Sequence, residues 1–97
     1  METNILNKIE YPKEGIISKQ IPGAGFNITL FSMSKNSEIS EHTSTKKALV
    51  YVLEGSGIFN LQNKEIQMNP GTLIQMPENA KHSLSAKENT SFLLILA

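Results

Sequence analysis

The stretch from Lys47 to Glu54, KALVYVLE, constrains the fold more than any other part of the chain. Read as a strand, it puts Ala48, Val50 and Val52 on one face and Leu49, Tyr51 and Leu53 on the other, because successive side chains alternate across a strand. Both faces are apolar, so both need cover, as in the interior of a layered β structure. The remaining punctuation agrees, with short apolar runs broken at close intervals by Gly, Pro and Asn. Strands are expected over 16–21, 26–34, 39–44, 47–54, 58–61, 65–68, 73–76, 82–86 and 91–96, with turns at Pro22-Gly23-Ala24-Gly25 and around Gln62-Asn63-Lys64. No segment carries a helical period over three turns. The expectation is all-β, a sandwich or barrel.

The 97 residues suit one small domain over 1–97, with the strands inside 1–27 serving as edge or dimer strands. Nine basic residues balance nine acidic ones; every basic residue is lysine and every acidic one glutamate. A net charge of zero favours neither nucleic acid nor an anionic membrane as partner. Arginine is the side chain that grips phosphate or carboxylate in two-point fashion, so its absence argues against a phosphorylated substrate held that way. With no cysteine, thiolate catalysis, disulfides and cysteine-metal sites are excluded. The opening METNILNKIEYPKEG shows no signal-peptide pattern, and no run approaches the roughly 18 apolar residues of a membrane span. A soluble, cytoplasmic protein is expected.

Two segments carry fixed spacings that local structure does not require: HTSTKKALVYVLEG over 42–55 and GTLIQMPENAKH over 71–82. With Asn36 and Ala86 they resemble the two motifs of the cupin superfamily, G-x5-H-x-H-x3-4-E-x6-G and G-x5-P-x-G-x2-H-x3-N. In the first, Asn36 stands at the opening glycine, His42 at the first histidine, Ser44 at the second, Ala48 at the glutamate and Gly55 at the closing glycine. In the second, Gly71, Pro77 and His82 match, while Asn79 replaces a glycine and Ala86 the asparagine. The turn positions are kept in kind, since asparagine is the non-glycine residue that best tolerates left-handed backbone. The metal-ligand positions are depleted, since serine and alanine do not replace histidine and glutamate as donors.

The resemblance covers about residues 28–97 and implies the cupin double-stranded β-helix, a jelly-roll barrel, with His42 and His82 close together in its lumen. It also turns Ala48 inward, leaving Leu49, Tyr51 and Leu53 to pack under the N-terminal strands or a second subunit, so a homodimer is expected. The lumen implied is a small-molecule site: Val50, Val52, Phe59, Met76 and Leu84 as walls, with His42, Ser44 and His82 as polar anchors. His42 and His82 are the candidate ligands for a weakly held divalent ion, zinc, iron, manganese or nickel, and the competing expectation is a pair of hydrogen-bonded histidines without metal. Glu41 could join them only by a one-residue slip in strand register. The alternative in another class is a metal-dependent enzyme, a dioxygenase, isomerase or lyase for a small oxygenated substrate. Met33, Met68 and Met76 are read as core filling, 92–97 as a buried last strand, and Lys46 and Lys47 as a solvated strand end.

Overall fold

The structure, a computed structural model, describes residues 2–23 and 25–97. Among the described residues nine strands follow a short 3-10 helix over Ile5–Lys8: β1 Ile16–Ile21, β2 Asn27–Met33, β3 Glu38–His42, β4 Ala48–Glu54, β5 Gly57–Leu61, β6 Lys64–Gln67, β7 Leu73–Met76, β8 His82–Ala86 and β9 Thr90–Leu96. They form a five-stranded sheet in the order β1-β2-β9-β4-β7 and a four-stranded sheet in the order β3-β8-β5-β6, antiparallel throughout. This is the all-β jelly-roll barrel expected of a cupin, and each expected strand is present within two residues at either end. Gln62 and Asn63, at φ +49° and +67°, make the hairpin turn between β5 and β6. Ala24, in the expected turn over 22–25, lies outside the described residues; beside it, the Phe26 amide donates to Gly23 O at 2.9 Å.

The last strand explains why the chain end is so apolar. β9 lies in the middle of the larger sheet, between β2 and β4, so one face of FLLIL meets the lumen and the other the outside of the barrel. The inward set is Phe92, Leu94 and Leu96, opposite Val52, Val50 and Ala48 of β4. Across the lumen stand Phe59, Leu84 and Ala86, and Met33, Met68 and Met76 fill the gaps between the sheets, all six nearly or wholly buried.

The outer face of the larger sheet is unevenly covered. Leu30, Ser32 and Ser91 point outward by register, yet are buried. The segment ahead of β1 lies over them: Tyr11 donates its hydroxyl to Glu54 Oε1 at 2.6 Å, and Lys19 Nζ donates to Lys8 O and to Glu10 Oε1, both at 3.0 Å. Farther along the same face Leu49, Tyr51 and Leu73 stay exposed, at 37%, 39% and 53% of their full area. The N-terminal segment thus covers the β2–β9 half of the face and leaves the β4–β7 half bare.

Two turn positions show what the backbone demanded. Gly55 holds φ +103°, and a Cβ there would fall against Asn89 O and 2.5 Å from Thr90 Cα, so neither the conformation nor the space admits another residue. Asn36 and Asn79, the asparagines at family glycine positions, take φ +72° and +61°, the left-handed region they were expected to tolerate.

Candidate functional site

The lumen site depends on an irregularity in β3. Ile39 pairs with Leu84 of β8, and a regular ladder would next put Glu41 opposite His82; instead the register shifts by one residue and His42 stands opposite His82. A bulge of this kind puts one extra residue on one strand and reverses which side chains face inward. Ile39 and His42, of opposite parity, therefore both reach the lumen. The shift turns His42 inward, and Glu41 is exposed.

Each ring is held by a backbone carbonyl two residues before it. His42 Nδ1 lies 2.8 Å from Ser40 O, and His82 Nδ1 lies 2.9 Å from Ala80 O. A carbonyl oxygen can only accept, so each Nδ1 carries the proton and donates. In the neutral ring Nε2 is then an acceptor, and among the described residues neither Nε2 has a protein hydrogen-bond partner. The two rings are 4.0 Å apart between centroids, tilted by 59°. His82 is buried and lies parallel to Phe59, with centroids 5.9 Å apart and 1° between the planes, whereas His42 is exposed at the mouth.

Beside the two imidazoles is a cavity of about 120 Å³ lined by Phe31, Ile39, His42, Val50, Phe59, Met76, His82, Leu84, Phe92 and Leu94. Six of the eight residues expected from the sequence line it: His42, Val50, Phe59, Met76, His82 and Leu84. Val52 is wholly buried but belongs to the core beyond the cavity wall. Ser44 lies past the end of β3, where its Oγ accepts the Lys46 amide at 3.3 Å and its carbonyl accepts the Asn79 amide at 2.8 Å. Phe31, Phe92 and Leu94 were missed, although strand alternation would have found them once β9 was known to pair with β2 and β4. No local signal announces Ile39, because only the bulge turns it in with His42. A larger groove of about 470 Å³ opens at the same end of the larger sheet, bordered by Lys47, Leu49, Gln75, Pro77 and Ile95.

These residues do not make a complete metal centre. Among the described residues no three His, Cys, Asp or Glu side chains come together, and Ala48 stands where the family motif has its glutamate. Two imidazole nitrogens fall short of the three protein ligands of a catalytic zinc site and the four of a structural one.

The fold is a small barrel with two histidines beside its lumen. The chain belongs to the cupin domain family, which its residues 29–97 match. An acireductone dioxygenase of Bacillus velezensis is 33% identical over 60 residues, 57% of this chain and 34% of that protein; the Bacillus anthracis enzyme is 30% identical over 60 residues. The chain spans about a third of the length of the curated relatives it matches. Among solved structures, a cupin 2 conserved barrel domain protein from Leptotrichia buccalis superposes with a TM-score of 0.88 at 29% identity, covering 98% of this chain and 47% of that one. A Streptococcus pyogenes protein of unknown function superposes at 0.87 with 24% identity, covering 100% of this chain and 86% of that one, a likeness of fold alone. Among the described residues no helix is long and apolar enough to cross a membrane.

Proposed function

We propose that this chain is a binding module whose lumen holds a small molecule, anchored by His42 and His82 and enclosed by apolar walls. The observation that carries this reading is the pair of imidazoles with Nδ1 fixed on backbone carbonyls and Nε2 unpartnered beside the apolar cavity. A ligand with a hydrogen-bond donor would pair with these acceptors while its apolar part covers the cavity walls. A fragment screen by ligand-observed NMR tests it: hits that compete with one another and are lost in His82→Ala support lumen binding, and their persistence in that variant would move the site elsewhere.

A weakly held divalent ion on His42 and His82 belongs to the same reading. Calorimetric titration with zinc, iron, manganese and nickel should show weak binding that either His→Ala change abolishes, because one imidazole cannot hold the ion against water. The likeness to acireductone dioxygenases supports the second reading, a metal-dependent enzyme acting on a small oxygenated substrate. It would require a third ligand from outside the histidine pair, and stoichiometric iron or manganese in protein purified without tag or chelator would favour it.

The bare half of the outer face supports a homodimer. Leu49, Tyr51 and Leu73 form an apolar surface continuous with the groove beside Ile95, and the zero net charge of the chain sets up no overall repulsion between copies. Light scattering should give a dimer at micromolar concentration and a monomer for Leu73→Glu; a monomeric wild type would remove the dimer from the proposal. The cytoplasmic setting expected from the sequence is part of the same reading, to be checked by cell fractionation.

A further inference from the structure

We propose, resting on the lumen-binding reading above, that the cavity takes a neutral aromatic alcohol of about the size of phenol, whose hydroxyl donates to an imidazole Nε2 of the His42–His82 pair. Both rings spend their Nδ1 proton on a backbone carbonyl, so each neutral ring offers the cavity an acceptor and no donor. With centroids 4.0 Å apart, the rings bring two acceptors to one region, and neither can satisfy the other. The walls supply no donor either, since Phe31, Val50, Phe59, Leu84 and Phe92 carry no polar hydrogen. A ligand hydroxyl that enters the cavity supplies that donor.

Size and charge narrow the class further. A larger engineered apolar cavity, about 150 Å³, is known to hold benzene, so about 120 Å³ admits no more than a single ring, with its hydroxyl toward the mouth where His42 is exposed. The parallel Phe59–His82 pair and the stacked Phe31–Phe92 pair, 5.1 Å apart at 9°, present flat faces suited to an aromatic ring. No lysine lines the cavity to compensate a carboxylate or phosphate, and burying an unpaired anion is far more costly than burying a hydroxyl that finds an acceptor.

Phenol and toluene, which differ by a hydroxyl for a methyl, are the probes. In the wild type phenol should bind about tenfold tighter than toluene, the usual worth of one net hydrogen bond. In the double variant His42→Leu, His82→Phe the preference should fall to about one while toluene binding persists. Nitrogen NMR of the wild type provides a readout that needs no variant: with only two histidines in the chain, phenol should move an Nε2 resonance and toluene should not. Equal binding of the two probes, or unmoved Nε2 resonances, would overturn the hydroxyl recognition and leave lumen binding standing. Failure of both to bind would overturn lumen binding itself, and this inference with it.

Discussion

At one end of the barrel β4 turns into β5 through Gly55, packed so closely on Thr90 that no Cβ fits; at the other, His42 and His82 meet beside an apolar cavity of about 120 Å³. The closed end is tied by side chains that replace ladder bonds. Thr90, wholly buried, accepts the Ser56 amide at 3.1 Å and lies 2.7 Å from Glu88 O, to which its hydroxyl donates. Tyr11 fastens the N-terminal segment to Glu54 at this same end. The open end keeps a volume unfilled, which a fold of this size can carry only if stability comes from elsewhere. The contrast puts the tightest packing at the Gly55–Thr90 corner and the unfilled volume beside the histidines.

The largest expected effect is at the corner. Gly55→Ala combines a left-handed φ with a backbone collision and should lower stability by at least about 3 kcal/mol in urea melts, the sum of typical strain and overpacking terms. A near-neutral result would show that the corner can relax and would break the contrast. Next comes Thr90→Val, which keeps the shape but strands the Ser56 amide; it should cost about 1 to 3 kcal/mol by the same melts.

Gly71→Ala sharpens the comparison, because this residue also has a positive φ, +91°, but nothing within 4 Å of where its Cβ would stand. Backbone strain alone should then cost about 1 to 2 kcal/mol. A loss equal to that of Gly55→Ala would mean that the collision at Thr90 contributes nothing.

The Tyr11 phenol is pushed up from 10.0 to about 12, first by burial, then by its hydrogen bond to Glu54; the nearby Ser91 hydroxyl pulls the other way, at a geometry that leaves its own buried Oγ without a partner, and the charge of Glu54 adds the smallest upward push. A phenol whose folded pKa exceeds its unfolded one contributes stability fully below about pH 10, and that contribution is lost as pH rises through about 12. Wild type should therefore lose stability over this range more steeply than Tyr11→Phe; parallel curves would detach the N-terminal segment from the closed end. The smallest effect is at the open end, where Ser44→Ala removes only a long contact to the Lys46 amide and should change stability by no more than about 0.5 kcal/mol.

The elements were legible in the sequence for local reasons. Alternation in ALVYVLE separates the inner face of β4 from the outer, and Gln62-Asn63 carries the turn between β5 and β6. Gly55, Asn36 and Asn79 mark positive φ because few other residues tolerate it. Six of the cavity residues follow from that alternation together with the motif spacing. Ser44 was expected in the lumen on the assumption that β3 continued past His42; the strand ends there, and the serine hydroxyl turns to its own loop.

What the sequence determined by itself is the order of strands and turns, since each depends on neighbours within a few residues. The motif resemblance implied that His42 rather than Glu41 faces His82, but only the tertiary structure showed the bulge that brings it there, because the register of β3 on β8 is set by hydrogen bonds between segments some forty residues apart. It also decided that the N-terminal segment covers Leu30 and Ser91 but leaves Leu49, Tyr51 and Leu73 bare. Local alternation says that a face is apolar, but what lies over it depends on contacts such as Tyr11 with Glu54, formed between residues 43 positions apart.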